Sequence, residues 1–469
     1  FARTYPDNRD MFRQAERMLD GFGDREDLRR FASELYDTGI VGTAIHYRFY
    51  WQTALWLYRR WPRYLHVDWS EWDDTHGLDE LWPLILPYPA IEALETTELS
   101  SRELIECMKT EAETDAGYLL RSLLRLPVPD FVREKYFDDL DIPLVLLPGP
   151  TTPSLTGSRN KPSPPVYGFT PTTRPARDFS IIELEPGSVE NVSARRGKGL
   201  VDLARIQMIT HGRDLYAFMH ADFADVRVFG YDHGMEFVGY GLKPERRSLL
   251  EAMYIFLIRR NGVPIGYTQA STLFGTAEIN FNVFDTYRGV EASRIFLYTL
   301  SMVRYLFKTS TFIINTQQLG DGNEEALQSG AFWFYHKHGF EPADRDVAKI
   351  LKDELKRKRA DRKYRSSRSI LKQLSGSELR LDLDGWRETT VSNLPIERIG
   401  LRAARLMEAR ATASDAHGEQ RCSAECAELL GVESGYALTA GERIAWRRWS
   451  PVVLSLPGVA RWGRAKRQA

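Results

Sequence analysis

The sequence predicts an α/β (α+β) protein: a mixed sheet flanked by helices, a helical domain before it and a helical extension after it. Three observations predict this. Apolar runs separated by tight turns follow one another from Val226 to Phe284, the pattern of antiparallel strands. A helix, a strand and another helix come next, which makes the arrangement α/β. Residues 1–142 keep helical spacing instead, and nine prolines between Pro143 and Pro175 set them apart.

At 469 residues the chain has room for two or three domains. Its 43% hydrophobic and 27% charged residues are a globular composition. A net charge of −1 gives no overall field toward nucleic acid or membrane. No apolar run approaches the roughly 18 residues of a membrane span. The richest, Phe49–Tyr58, runs straight into Arg59 and Arg60. The residues present carry no recognisable secretory signal. Cys107, Cys422 and Cys426 are too few for a disulfide framework, so a reducing, cytoplasmic location is expected. Cys422 and Cys426 stand near His417 without a fourth ligand, so ordinary thiols are expected there and no metal.

The first domain, 1–142, takes its helices from Leu28, Phe31 and Leu35 and from Leu119 and Leu123. Trp51, Trp56, Trp61, Trp69 and Trp72 crowd one stretch and read as core. Residues 143–178 are the proline-rich linker, where missing donors and a fixed φ forbid a regular helix or central strand. The central domain spans 179–345. It should open with a strand at Phe179–Leu184 and helices between Leu200 and Phe218. A hairpin, Val226–Leu242, turns at Asp232-His233-Gly234. A second joins Tyr254–Ile258 to Val263–Leu273 through Asn261-Gly262, a strong hairpin signal. Then come a strand at Ala277–Phe284, a helix at Glu291–Lys308, a strand at Phe312–Thr316 and a helix at Glu324–His338. Residues 346–469 form a basic helical extension that includes Lys356-Arg357-Lys358-Arg359 and Arg362-Lys363.

The segment Asp285-Thr286-Tyr287-Arg288-Gly289-Val290-Glu291-Ala292-Ser293 lies between a strand and a helix. A helix start exposes free amides and the positive end of the dipole, which suits a pyrophosphate. Arg288 adds a charged contact. About forty residues on comes Ser329-Gly330-Ala331-Phe332-Trp333-Phe334-Tyr335-His336-Lys337-His338-Gly339-Phe340.

Together these two segments resemble the GNAT superfamily of N-acyltransferases. Its strand and loop read V-x-P-x-Y-R-G-x-G-x-G, matched here by Val283, Tyr287, Arg288 and Gly289. Its later N-x-x-A-x-x-Y-x-x-x-G-F is matched by Tyr335, Gly339 and Phe340. The resemblance covers roughly residues 250–345 and implies acetyl-CoA or another acyl-CoA as co-substrate. The pyrophosphate would lie on Arg288, Gly289, Val290, Glu291, Ala292 and Ser293. A backbone amide of the strand, around Phe281 to Val283, would polarise the thioester carbonyl. Glu278 resembles the base and Tyr335 the acid that protonates the thiolate. The acceptor amine is not legible. Glu291 and Ser293 replace pattern glycines, Ser329 and Phe332 replace the pattern Asn and Ala, and Asp285 stands for the proline. A glutamate beside a polyanion either turns its side chain away or changes how coenzyme A binds.

The residues themselves add one point. Glu278, Asn280 and Asn282 alternate with Ala277, Ile279, Phe281 and Val283, so one face of this strand is polar, which suggests a wet cleft. His336 and His338 read as exposed. A decoy, Arg195-Arg196-Gly197-Lys198-Gly199-Leu200, reads as a basic turn before a helix. Two other readings stand beside acyl transfer from acyl-CoA. One is an aminoacyl-tRNA-dependent transferase using the basic run, although Asp353, Glu354 and Asp361 suit a solvated helix better. The other is a non-catalytic module binding a ligand or protein.

Overall fold

A computed structural model of the chain describes every residue except 37, 73–75, 97–98, 161–163, 169–181, 290, 384–395, 412–417, 433–437 and 469. Among the described residues no helix is long and apolar enough to cross a membrane.

The N-terminal region is mainly helical. Its main elements are β1 (Ile45–Tyr47), α1 (Trp51–Arg60), β2 (Leu65–Val67), α2 (Asp115–Arg125), α3 (Asp130–Leu140) and β3 (Leu144–Leu146). The three strands form a small antiparallel sheet of order β1-β3-β2 that the helical spacing did not announce. β3 comes from the start of the proline-rich segment, and Leu144 and Leu146 share a buried core with Trp51, Trp61, Trp72 and Trp82. The Trp cluster is therefore core, with Trp56 and Trp69 packed half-buried against it. The helix expected through Leu35 stops at Arg30, and Phe31 lies 41% exposed. Beyond β3 the proline-rich chain is a strap: Leu155 N–H bonds Gly39 O at 2.8 Å and Asn160 N–H bonds Gly262 O at 3.0 Å. Val166 N–H bonds Asn261 Oδ1 at 2.9 Å.

The centre is a nine-stranded sheet. Its strands are β4 (Ser188–Asn191), β5 (Ala221–Gly230), β6 (Met235–Leu242), β7 (Ala252–Arg260), β8 (Val263–Leu273), β9 (Thr276–Val283), β10 (Thr311–Ile314), β11 (Glu341–Pro342) and β12 (Leu379–Asp382). The order is β11-β12-β10-β9-β8-β7-β6-β5-β4. The two predicted hairpins are present, and the second turns with Asn261 and Gly262 both at positive φ, as a tight type I′ turn requires. The strand expected at Phe179–Leu184 is not at Ile182–Leu184, and 179–181 lie outside the described residues. Leu184 O instead accepts from the Ser301 hydroxyl, and the strand begins at Ser188, past Pro186-Gly187.

Helix α4 (Ala194–Ile209) contains the Arg195–Leu200 segment, which is helix and not turn. Gly197 permits this packing: a Cβ there would meet Phe223 O at 2.1 Å. β9 and β10 run parallel while every other neighbouring pair of the sheet is antiparallel. A parallel pair needs a crossover, and α5 (Ala292–Phe307) supplies it. After β10 come α6 (Thr316–Leu319), α7 (Glu324–Ser329) and α8 (Ala331–Lys337). The single helix expected at Glu324–His338 is split because Gly330 adopts φ 68°.

The extension begins with α9 (Arg345–Ala360). It is not all helical. β12 slots between β10 and β11, where Leu379 is fully buried, so residues past 346 complete the central sheet. Helices α10 (Ile396–Glu408), α11 (Gly418–Leu430) and α12 (Ala440–Ser455) close the chain. Cys422 and Cys426 are buried on α11, and His417 lies outside the described residues.

Candidate functional site

β9 and β10 stay paired only from Thr276–Thr311 to Glu278–Ile313. β9 then runs on to Val283 while β10 turns off into α6. Between them opens a cavity of about 280 Å³. Six residues singled out from the sequence line it: Phe281, Val283, Arg288, Gly289, Ala292 and Tyr335.

Because β10 has turned away, the Phe281 N–H has no ladder partner. It donates to Gln318 Oε1 at 3.3 Å. The Tyr335 hydroxyl donates to the same oxygen, also at 3.3 Å. Two donors, one from a strand edge and one from α8, thus converge on one carbonyl-type oxygen. Burial pushes the Tyr335 phenol above its ordinary range, so it stays protonated and able to donate. An aromatic layer fixes the arrangement: Phe296 of α5 lies 5.2 Å from Phe281 and 5.4 Å from Tyr335. Gln318 was not singled out from the sequence. Its only signal is a polar run, Asn315-Thr316-Gln317-Gln318, directly after a strand.

The loop after β9 resolves the glutamate. Glu291 sits at the N-cap of α5 with φ 52°, a left-handed conformation that favours glycine. Its side chain points inward, 3% exposed, and pairs with Arg260 of β7. The bulk and charge expected beside the ligand are therefore turned away from the cavity. Gly289 has φ 79°. Arg288 donates from Nε to Val283 O at 3.2 Å and pairs with Asp285 at 2.9 Å and with Glu325. Val290 lies outside the described residues. Ser293, in the first turn of α5, lines a neighbouring cleft and not this cavity.

Glu278 does not line the cavity either. Its Oε1 accepts from Asn315 Nδ2 at 2.8 Å, and the same amide reaches Asn280 Oδ1 at 3.3 Å. Asn315 Oδ1 in turn accepts the Gln318 N–H at 3.0 Å. Glu278 is thereby tied to the short helix that carries Gln318. Its face of the sheet is polar and half-buried, with Tyr267, Gln269, Ser271, Asn280 and Asn282 beside it. The loop His211–Asp214 borders this face. Arg213 donates to the Tyr267 hydroxyl at 2.6 Å, and His211 stacks on Phe284 at 3.9 Å. Burial pushes the His211 imidazole below its ordinary range.

The remaining candidates are less engaged. His338 is 2% exposed, not on the surface, because it packs against Phe296 and Phe334. Lys349, Lys356 and Arg357 of the basic run pair with Asp346, Asp353 and Glu354 of their own helix. No family model, no curated protein and no solved structure matches this chain.

Proposed function

We propose that the protein transfers an acyl group from an acyl-CoA to an amine by direct attack on the thioester. The observation that carries this reading is the convergence of the Phe281 N–H and the Tyr335 hydroxyl on one oxygen inside the β9–β10 opening. A thioester carbonyl taking the place of Gln318 Oε1 would meet both donors, and fixed donors aimed at a developing oxyanion are worth several kcal/mol, roughly 3–4 for one of them. Asn282 Oδ1 is buried without a hydrogen-bond partner among the described residues. It lies beside the cavity and suits an amide N–H of the pantetheine arm. The inward Glu291 leaves the outer side of the loop to the pyrophosphate.

The amine approaches from the polar face of β9, and its lone pair forms the new bond to the thioester carbon. Glu278 takes the amine proton through water. As the oxyanion collapses the C–S bond breaks, and Tyr335, no longer donating to that oxygen, gives its proton to the departing thiolate; the proton taken by Glu278 returns to Tyr335 through water. The acceptor's identity is set by the polar face and the His211–Asp214 loop.

Titration calorimetry with acetyl-CoA and longer acyl-CoAs, beside Arg288→Ala, tests the reading. Saturable binding, weakened by about tenfold in the variant, is expected for a lost charged contact. Binding of no thioester overturns it and favours a tRNA-dependent donor. Binding without transfer to any amine favours a non-catalytic module.

A further inference from the structure

A second cleft, of about 730 Å³, adjoins the first, and the two share Ser329 and Phe334 as lining residues. Its other walls come from Ser293 in the first turn of α5, from α8, and from α9 with the turn beyond it. Three cations line it: Lys337, Lys358 and Arg365. Among the described residues that line it, none is a carboxylate. Among the described residues none of the three cations has an acidic oxygen within ion-pair distance. This contrasts with Lys349, Lys356 and Arg357 of α9, which pair along their own helix. Glu354, one turn before Lys358, is buried and already takes the Tyr364 and Ser366 hydroxyls and Arg357.

One of the cations is also held in place. The Lys358 ammonium sits 3.3 Å from the centre of the Trp333 ring, a half-buried cation–π contact. Burial first, then Lys337 and Arg365, push that ammonium below its ordinary range. Three like charges around one cleft repel each other, and an anion between them removes the repulsion. The cleft begins at the N-terminal turn of α5, the end of the helix where backbone dipoles favour negative charge.

We infer that this cleft is a phosphomonoester site, formed by Lys337, Lys358 and Arg365, which takes the 3′-phosphate of coenzyme A. The inference rests on the acyl-CoA reading and extends it to the far end of the cofactor. It gives the basic run a role: the face of α9 toward α8 serves the nucleotide, while the opposite face is paired and solvated. Two of the three residues that serve it, Lys358 and Arg365, come from beyond 345, so the extension contributes to binding and not only to the sheet.

The test compares coenzyme A with 3′-dephospho-CoA by calorimetry on the full chain. The probe pair differs only in the phosphomonoester. Wild type should bind dephospho-CoA about tenfold more weakly or worse, as expected for lost charge-assisted contacts. In Lys337→Gln/Arg365→Gln, both exposed positions, the ratio should fall toward one. Dephospho-CoA affinity should stay as in wild type. Lys349→Gln, on the paired side of α9, should keep the wild-type ratio. Added salt should shrink the ratio, since these charges are partly open to solvent. Equal affinity for the two cofactors in wild type overturns the inference and leaves the acyl-CoA reading intact. Binding of neither form removes both. A ratio that persists in the double variant also overturns the assignment to these residues.

Discussion

The polar face of β9 and the loop that follows it each carry one glutamate, and the two have opposite fates. Glu278 stays half-buried, held by the Asn315 amide, on a face shared with asparagines and a tyrosine. Glu291 is driven into the interior and neutralised by Arg260. The difference lies in what surrounds each. A strand face bordered by polar side chains lets a carboxylate stay half-exposed and hydrogen-bonded to a neighbouring amide. A buried carboxylate must be paired, because an unpaired ion costs several kcal/mol to bury. One glutamate is therefore left on a half-exposed polar face, and the other is committed to a buried ion pair.

The largest effect should come from breaking the inner pair. Glu291→Ala leaves Arg260 buried with its charge, and loss of about 3–5 kcal/mol is expected in chemical denaturation. A loss under about 1 kcal/mol would mean that the pair is solvated, contrary to its burial. Next comes the outer glutamate. Glu278→Gln keeps size and most hydrogen bonds, so stability should hold, while the acyl-transfer rate should drop on the order of 100-fold with acyl-CoA affinity unchanged. Equal rates in variant and wild type would remove Glu278 from the proton path.

A smaller effect separates the donors from the side chain that occupies them. Gln318→Leu frees the Phe281 N–H and the Tyr335 hydroxyl. Acetyl-CoA affinity should rise a few-fold, on the order of one hydrogen bond, while affinity for CoA, which lacks the acyl carbonyl, should not change. An equal change for both ligands would show that Gln318 only shapes the wall.

The smallest effect lies where the polar face meets the N-terminal region. Asp214 accepts from the Tyr50 N–H at 3.0 Å and the Thr53 hydroxyl at 2.8 Å, and Asp138 accepts from the Trp51 N–H at 2.8 Å. Burial pushes each carboxyl up to about 6 from 3.8. A raised carboxyl favours folding when protonated. That contribution is complete below pH 3.8 and is lost as pH rises through about 6. Asp214→Asn should flatten this part of the stability profile, read as melting temperature from pH 4 to 7. An unchanged slope would assign it to other groups.

Much of this was legible in the residues, for identifiable reasons. The hairpins announced themselves because Asn261-Gly262 and the Asp232-His233-Gly234 turn sit between alternating apolar runs. The polar row Glu278, Asn280, Asn282 followed from period two alone. Six cavity residues were named through the resemblance, whose two motifs are short-range patterns at a strand end, a helix start and the later tyrosine. What escaped was non-local. β12 arrives from beyond residue 378 to pair with β10. β3 leaves the proline-rich segment to pair with β1 and β2. The break at Gly330 is a backbone choice that an otherwise continuous helical pattern hides.

The sequence by itself determined the class of fold, the order of the central strands along the chain and the face on which Glu278 stands, because turn chemistry and side-chain alternation act between near neighbours. Only the tertiary structure decided where Glu291 points, that Gln318 sits between two donors, and that three cations from α8, α9 and the turn beyond share one cleft with no acid among its described lining residues. Those outcomes depend on which distant residue lies opposite, Arg260 for Glu291 and the edge of β9 for Gln318. Burial and pairing are set by that opposition, and local pattern does not encode it.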